Sequence, residues 1–408
     1  MNILFVSNEY PPETGFGGIG TYTQCMAEAL ADRGHNVHVI CRSASGVPAR
    51  KKCSNVTIHR ISPGTYPLPQ GKAFYPFRML CYRYIPDSLI RLAWANEVYK
   101  TFMQLSESDC RFDIVEFPEC NGEGFYITRN NVSGTIVRLH TPWELARKLD
   151  RIVSRPLDRI VSAFIEKHSA KHARGICSPT HSLANKLSKE WKLKNIRVYP
   201  NPITVHSFEN TDGTGIIYTG RIEHRKGVHT LINAYGSLCN EINDAPQLRL
   251  IGRPYGVLPD GFDYGVLIEN QINSHNLRER VAWVKGTDAT GVKQHLAASS
   301  IAVFPSIWEN FPYTCLEAMA SGLAVIASRC GGYKEIIEDE KNGLLFEPGN
   351  AEDLRKKLQI LCNNDHIRQK LGTQARNRIS ELCNPDNICT EAEKLYRHTA
   401  ESTINEQR

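Results

Sequence analysis

The segment FPSIWENFPYTCLEAMASGLAVIAS, residues 304–328, has the sequence pattern of a strand, a loop and a helix in that order. Its opening apolar run ends near Ser306, and Pro312 suits the first turn of a helix, where a missing N–H group breaks no hydrogen bond. The helix predicted through residues 316–320 ends at Gly322. The segment therefore predicts one strand-helix unit of a parallel sheet.

Two carboxylates, Glu309 and Glu317, are separated by seven residues in this segment. We expect Glu309 at the carboxyl edge of the sheet and Glu317 about two helical turns further on. One domain can thus present both groups to different parts of one ligand. A carboxylate can accept hydrogen bonds from two neighbouring sugar hydroxyls. The free N–H groups at the start of the helix favour binding of an anion.

Upstream, the segment YTGRIEHRKGVHTLINAY, residues 218–235, places two cations between another strand and another helix. Arg221 and Lys226 follow a strand ending near Thr219 and precede a helix beginning near Val228. Both cations therefore reach the carboxyl edge of the same sheet, where they can neutralise a diphosphate.

Short apolar runs alternate with longer stretches of helical period along the whole chain, which predicts an α/β fold. The polar, turn-rich segment 201–215 divides the alternation into two halves. The predicted strands are 3–7, 37–41, 113–117, 135–139, 175–178 and 197–199, then 215–219, 248–251, 281–284, 301–305, 323–327 and 343–346.

We therefore expect two facing, doubly wound, Rossmann-like domains with an interdomain cleft for the ligand. The predicted limits are 1–200 for an N-terminal, acceptor-side domain and 201–385 for a C-terminal, nucleotide-sugar-binding domain. Residues 386–408 form a final helix, expected to pack back on the N-terminal domain.

The stretch ETGFGGIGTY, residues 13–22, spells the G-x-G-x-x-G of a dinucleotide-binding turn. That motif requires a tight turn after the first strand, but residues 8–14 form a loop before the first glycine. Arg42 stands at the end of the second strand, where an NAD enzyme has an acidic residue. An arginine at this position is compatible with NADP, so an NADP enzyme remains an alternative. The loop still offers N–H groups to a phosphate ahead of a helix predicted over 21–33.

Together these segments resemble a family 4 retaining glycosyltransferase of the GT-B fold, one of the glycosyl transferases group 1. The resemblance extends over nearly the whole chain, from residues 9–22 through 220–227 to 309–328 and 331–350. It implies that Gly17 and Gly18 approach the donor phosphate. In the second half it implies that Arg221 and Lys226 bind the diphosphate, Glu309 holds the donor sugar and Glu317 holds the ribose, with Asn310, Phe311, Tyr313 and Thr314 as further donor-binding residues.

In the first half, the resemblance matches His140 of VRLHTPWE to a histidine at the transfer centre, where it helps to position the donor sugar. The expected catalytic residues are thus His140, Arg221, Lys226 and Glu309. Glu116 and Glu119 of VEFPEC are candidates for acceptor contact.

The expected reaction transfers a sugar, of hexosyl type, from a UDP- or GDP-linked donor to an acceptor hydroxyl with retention. The sequence contains no D-x-D pair that would hold a divalent metal, so no metal and no cofactor are expected. Three alternatives remain open: a sugar-nucleotide epimerase of the same fold, an NADP-dependent oxidoreductase and a non-catalytic nucleotide-sugar binding protein.

Composition is that of an ordinary globular protein, with 41% hydrophobic and 23% charged residues among 408. An apolar run long enough to span a bilayer is absent from the sequence, as is a signal-peptide pattern at the N-terminus, which excludes an integral membrane protein and favours the cytoplasm. The thirteen cysteines form no C-x-x-C pair, which fits reduced thiols better than disulfides or a zinc site.

Positive charge is concentrated in the first half of the chain. Residues 42–100 hold ten lysines or arginines against two acids, interleaved with aromatic residues, and residues 147–174 form a second basic stretch with helical apolar spacing. Such stretches favour an anionic membrane surface or an acidic acceptor, or else the solvated face of ordinary helices. We expect a saccharide or lipid-linked acceptor, peripheral association with the inner face of the cytoplasmic membrane, and no nucleic acid.

Overall fold

The computed structural model describes residues 1–15, 17–66, 68–69, 71–108, 110–203, 213–258 and 261–406. The chain folds into two compact units. The first unit comprises Met1–Leu145, Ser154–Pro202 and the chain from Pro385 onward; the second comprises Ala146–Val153 and Ile203–Asn384. The predicted domain limits placed Ala146–Val153 in the first domain, whereas this segment belongs to the second unit. Residues 204–212 of the predicted junction lie outside the described residues.

The elements follow one another as strands and helices, with short 3-10 turns at Lys72–Phe74, Cys120–Gly122 and His224–Lys226. Up to residue 202 they are β1 (Asn2–Ser7), α1 (Gly18–Asp32), β2 (Asn36–Arg42), β3 (Ala49–Cys53), β4 (Val56–Ile61), α2 (Tyr75–Tyr84), α3 (Pro86–Ser108), β5 (Ile114–Pro118), α4 (Phe125–Arg129), β6 (Thr135–Arg138), α5 (Trp143–Leu149), α6 (Pro156–His172), β7 (Gly175–Ser178), α7 (His181–Trp191) and β8 (Arg197–Val198).

From residue 213 they are β9 (Ile216–Thr219), α8 (Val228–Glu241), β10 (Leu248–Ile251), α9 (Tyr264–Ser274), β11 (Val281–Val284), α10 (Ala289–Ala297), β12 (Ile301–Phe304), α11 (Tyr313–Ala320), β13 (Ala324–Ser328), α12 (Tyr333–Ile336), β14 (Leu344–Phe346), α13 (Ala351–Cys362), α14 (Asp365–Leu382) and α15 (Pro385–Glu406).

The first unit is built on a sheet with the strand order β3-β4-β2-β1-β5-β6-β7-β8. Its pairings are parallel except that of β3 with β4, which is antiparallel. Strands β1 and β5 are buried along nearly their whole length, as expected for central strands covered by helices on both faces. The helix α15 packs against α1 and against β5, β6 and β7 of this unit.

The second unit is a parallel sheet with the order β11-β10-β9-β12-β13-β14. Strands β9 and β12 are far apart in sequence but pair directly, Ile301 with Ile216 and Ala302 with Ile217. Because both strands run in the same direction, the turn after β9 and the loop after β12 leave the sheet side by side. This adjacency determines the geometry of the second unit's site.

The predicted α/β architecture of two parallel sheets is confirmed, and each predicted strand lies within one residue of an observed one. The first helix begins at Gly18, three residues before the predicted start. Strands β3 and β4 were not predicted. All five residues of β3 are exposed at the edge of the sheet, so its sequence ARKKC carries no buried apolar pattern.

Among the described residues, the helices are all too short or too polar to cross a bilayer. The thirteen cysteines are free thiols. In the same part of the chain, His, Cys, Asp and Glu side chains form no cluster of three or more that could hold a metal ion.

Candidate functional site

In the second unit, the turn after β9 is fixed against the end of β12. Gly227 has a φ of +67° and lies so close to the Pro305 carbonyl that a Cβ atom would collide with it. The Ile307 amide donates a hydrogen bond of 2.8 Å to the Arg225 carbonyl. The turn carrying the cations and the loop carrying Glu309 therefore form one rigid edge of the sheet.

Glu309 lies at the centre of this edge, with 7% of its surface exposed. Its Oε1 accepts from Lys226 Nζ at 2.6 Å and from Arg225 Nη1 at 2.5 Å, and its carbonyl accepts from the Gly332 amide at 2.9 Å. Burial alone would raise the pKa of Glu309, but the two cations outweigh it and hold that pKa below its ordinary value. Glu309 is therefore a fixed anion.

Arg225 is a functional candidate that the sequence analysis missed. Its guanidinium is buried and contacts three carboxylates: Glu309, Glu223 at 2.5 Å and Asp150 at 3.3 Å. Its amide also donates to Asp150 at 2.9 Å. Burial lowers the pKa of Arg225, and the three carboxylates more than reverse that effect. We refer to Asp150, Glu223, Arg225, Lys226 and Glu309 as the charge cluster.

The two predicted diphosphate cations differ in environment. The side chain of Arg221 is 58% exposed; it lies 3.3 Å from Glu223, and its guanidinium stands 5.5 Å from the centre of the Tyr255 ring. The side chain of Lys226 is only 14% exposed, and burial lowers its pKa despite the opposing effect of Glu309. Arg221 is thus the cation that a ligand at this edge meets first, and Lys226 the one held within the charge cluster.

The donor-binding candidates on and before α11 lie next to the charge cluster. The helix begins at Tyr313, and its N-cap residue Pro312 makes no side-chain capping hydrogen bond. Asn310, Phe311 and Tyr313 are buried, whereas Thr314 is half-buried. This arrangement places the N-terminus of α11, with its partial positive charge, beside the charge cluster.

Glu317 lies about one turn after Tyr313 on α11 and is half-buried. Burial raises its pKa to about 7, and Lys293 opposes that shift only in part. Unlike Glu309, Glu317 therefore changes its charge near neutral pH. The structure keeps the two predicted carboxylates in different electrostatic environments.

In the first unit, His140 follows β6 and is half-buried. Burial, assisted by the Arg138 guanidinium, lowers its pKa to about 3, so the imidazole is neutral at physiological pH. Its ring stands edge-on to the Tyr22 ring with 5.4 Å between the centres, and its amide donates to Glu119 Oε2 at 2.7 Å.

Glu119 is fully buried, and burial raises its pKa to about 8. Glu116 is 1% exposed and accepts hydrogen bonds of 2.6 Å from both Tyr22 and Tyr396, one on each oxygen. Both oxygens of Glu116 are therefore used inside the core, where they join α1 and α15 to β5. The geometry does not support acceptor contact through Glu116, and it gives Glu119 the task of fixing the backbone at His140.

Gly17 is the extended N-cap of α1 and Gly18 is its first residue, so both predicted phosphate-binding glycines lie at a helix N-terminus. The Glu9 side chain packs against Gly15 and Gly17, and a Cβ at either position would collide with it. Ten residues separate the end of β1 from the start of α1. A tight dinucleotide turn is therefore absent from this part of the first unit.

Comparison with known proteins gives matches along nearly the whole chain. Residues 16–206 match the model described as Glycosyltransferase Family 4, and residues 204–378 match the model described as Glycosyl transferases group 1. A curated relative, an uncharacterized glycosyltransferase of Methanocaldococcus jannaschii, is 24% identical over 97% of this chain and 98% of its own length.

Among solved structures, sucrose-phosphate synthase from Thermosynechococcus elongatus is 20% identical, covers 98% of this chain and 99% of its own, and has a TM-score of 0.76. The Anabaena protein HepE in complex with UDP-glucose is 15% identical, with 99% and 100% covered and a TM-score of 0.66. At these identities, the structures establish a shared fold.

Proposed function

The chain belongs to glycosyltransferase family 4 of the glycosyl transferases group 1, with the GT-B fold, and we propose that it moves a sugar from a UDP- or GDP-linked donor to an acceptor hydroxyl with retention and without a metal ion. The proposed acceptor is a saccharide or a lipid-linked saccharide at an anionic membrane surface. The product would enter a polysaccharide, a glycolipid or another glycoconjugate.

The proposal depends above all on the presence of Arg221, Lys226 and Glu309 at the adjoining ends of β9 and β12, where Lys226 contacts Glu309 and Arg221 contacts Glu223. When the bond between sugar and diphosphate breaks, negative charge grows on the leaving phosphate. Exposed Arg221, buried Lys226 and the N–H groups that begin α11 supply positive charge at this edge. Fixed donors of this kind stabilise a transition state more than the ground state.

Glu309 is suited to hold a neutral sugar because it is ionised and rigid. Its Oε1 is occupied by Arg225 and Lys226, whereas the described residues give its Oε2 no hydrogen bond. We propose that Oε2 accepts from hydroxyls of the donor sugar. Glu317, further along the helix, accepts from the ribose once it is ionised.

His140 is proposed to position the donor sugar by hydrogen bonding as a neutral imidazole. Its lowered pKa makes it a poor proton acceptor at neutral pH. The base that takes the acceptor proton is therefore proposed to be the leaving phosphate itself, in attack on the same face from which the diphosphate departs. Such a reaction retains the configuration at the anomeric carbon.

The direct test is transfer from radiolabelled UDP-glucose, UDP-N-acetylglucosamine or GDP-mannose to a panel of saccharide and lipid-linked acceptors, with separation of the products. We expect one donor to label an acceptor with an α-linkage from an α-linked donor, with or without EDTA. Release of an altered nucleotide sugar without any acceptor would instead identify an epimerase.

The matched variant for this assay is Arg221→Ala. Because Arg221 is largely exposed, its removal leaves folding within about 0.5 kcal/mol of wild type. Loss of its charge at the leaving group lowers turnover by roughly a hundredfold or more. Transfer at the wild-type rate in this variant would contradict the role proposed for Arg221.

A further inference from the structure

The helix α2 exposes an unusual amount of apolar surface. It buries none of its residues, and seven large side chains in or next to it are 42–57% exposed: Phe74, Tyr75, Phe77, Met79, Leu80, Tyr82 and Tyr84. At about 200 Å² for each large side chain, half exposed, this amounts to roughly 700 Å² on about 15 Å of helix. The largest apolar patch on a typical monomer covers about 300–600 Å². We call these seven residues the α2 patch.

The charges around the α2 patch have one sign. The sequence has no aspartate or glutamate between residues 42 and 86, whereas Lys72, Arg78 and Arg83 lie beside the patch. The Arg78 guanidinium stands 5.9 Å from the centre of the Tyr75 ring, and Arg83 stands 5.6 Å from that of Tyr84. Aromatic side chains flanked by cations are typical of a helix that lies in the interface of an anionic bilayer.

A second helix of the first unit, α6, has an outer face of the same chemistry. Leu157, Ile160 and Phe164 are 49–61% exposed at positions that share one side of the helix. Its acids are turned inward: Asp158 accepts from the Ser88 amide at 2.8 Å, and Glu166 from the Asn121 amide at 2.9 Å. The exposed charged side chains of the helix and its N-cap are cations, namely Arg155, Arg159 and Lys171.

These observations favour an anionic lipid surface over a second copy of the chain as the binding partner of the α2 patch. A pair of identical α2 patches would bring six cations together on a protein whose net charge is already +6. An anionic lipid surface offers both an apolar layer for the aromatic rings and the opposite charge for the cations. We propose that α2 binds the surface of an anionic lipid bilayer and that α6 makes a second contact of the same kind.

This inference rests on the proposed function only in that a lipid-linked acceptor lies in such a surface; the binding itself is independent of catalysis. The test is co-sedimentation of the full chain with phosphatidylcholine vesicles that contain either no phosphatidylglycerol or about a third of it. We expect binding to the anionic vesicles alone, and weaker binding as salt rises from 50 to 500 mM.

Two variants locate the surface. The double variant Phe77→Ser/Leu80→Ser is expected to weaken binding tenfold or more, and Arg83→Gln about fivefold, the loss expected for one cation near an anionic surface. The control is Ile360→Ser on α13, which removes a side chain of similar exposure, 43%, from the second unit. It should bind as the wild type does.

Transfer to a soluble acceptor should be unchanged in the double variant, which separates failure of docking from failure of the proposed reaction. Unchanged circular dichroism of the variant establishes that it folds. Equal sedimentation of wild type and double variant with anionic vesicles overturns the proposal. It is also overturned if the wild type forms dimers that the double variant does not, without binding vesicles, because the α2 patch would then join two copies of the chain.

Discussion

Replacing Arg225 by methionine removes the one cation that touches three carboxylates of the charge cluster. In the folded protein, the side chains of Asp150, Glu223 and Glu309 are each no more than a tenth exposed. Without Arg225, Glu309 keeps Lys226, and Glu223 keeps only the exposed Arg221 at 3.3 Å. The buried carboxylates then lose the positive charge that compensates their own.

Breaking a buried ion pair from one side costs about 3–5 kcal/mol, because a charge is left in a poorly solvated place. For a unit of this size, that loss lowers the melting temperature by roughly 6–20 °C. Differential scanning calorimetry is the appropriate assay, since a chain with two compact units need not unfold in one step. The transition of the second unit should shift, and that of the first unit should not.

The matched control is Arg221→Met, which makes the same substitution four positions earlier at a side chain that is 58% exposed. Its stability should stay within about 0.5 kcal/mol of wild type. If Arg225→Met shifts the transition of the second unit no more than Arg221→Met does, the charge cluster does not stabilise the fold.

The stabilisation by the charge cluster should also depend on pH, in a direction that follows from the pKa of Glu309. The pKa of Glu309 is lowered from 4.5 in the folded protein, chiefly by Arg225 and Lys226 acting against burial. A carboxyl group with a lowered pKa stabilises the fold above its unfolded value, and that contribution disappears as pH falls through the folded value. The stability difference between wild type and Arg225→Met should therefore be full at pH 6 and shrink below pH 4.5.

Three further predictions concern the proposed ligand contacts. Glu309→Gln should lower the transfer rate at least tenfold while the Kd for UDP, measured by calorimetry, changes less than threefold; equal losses would assign Glu309 to the nucleotide. Because burial raises the pKa of Glu317 to about 7, the affinity for the nucleotide should increase up to roughly tenfold from pH 6 to pH 8, and Glu317→Gln should remove this dependence. Because burial and Arg138 lower the pKa of His140 to about 3, its ring signals in NMR should not titrate between pH 5 and 8; a midpoint near 6.5 would refute its neutral role.

The parts of the fold that the sequence predicted are those with a local cause. Buried parallel strands such as Ile301–Phe304 are continuous apolar runs, and helix ends carry their own signals, as Gly322 does with a φ of +78°. By contrast, β3 is exposed along its whole length and therefore has no apolar pattern to read.

The sequence predicted only some of the charged residues at this sheet edge, for a different reason. Arg221, Lys226 and Glu309 belong to segments whose order alone predicts a common sheet edge. The burial of Arg225 depends on Asp150, 75 positions earlier in the chain. In the same way, the segment VEFPEC suggested acceptor contact for Glu116, but it could not reveal that the carboxylate is bonded to Tyr396, 280 positions away. Local sequence does not report which distant side chains will neutralise or cover a polar group.

The nucleotide-sugar donor and the metal-free reaction proposed for this glycosyltransferase can be tested together by thermal unfolding with UDP, GDP, ADP or NADPH, each with and without EDTA. A ligand present at a hundred times its Kd adds about 2.7 kcal/mol to the free energy of unfolding, which is readily measured. We expect UDP or GDP to raise the melting temperature equally with and without EDTA. Stabilisation by NADPH alone, or by UDP only when EDTA is absent, would contradict the proposal.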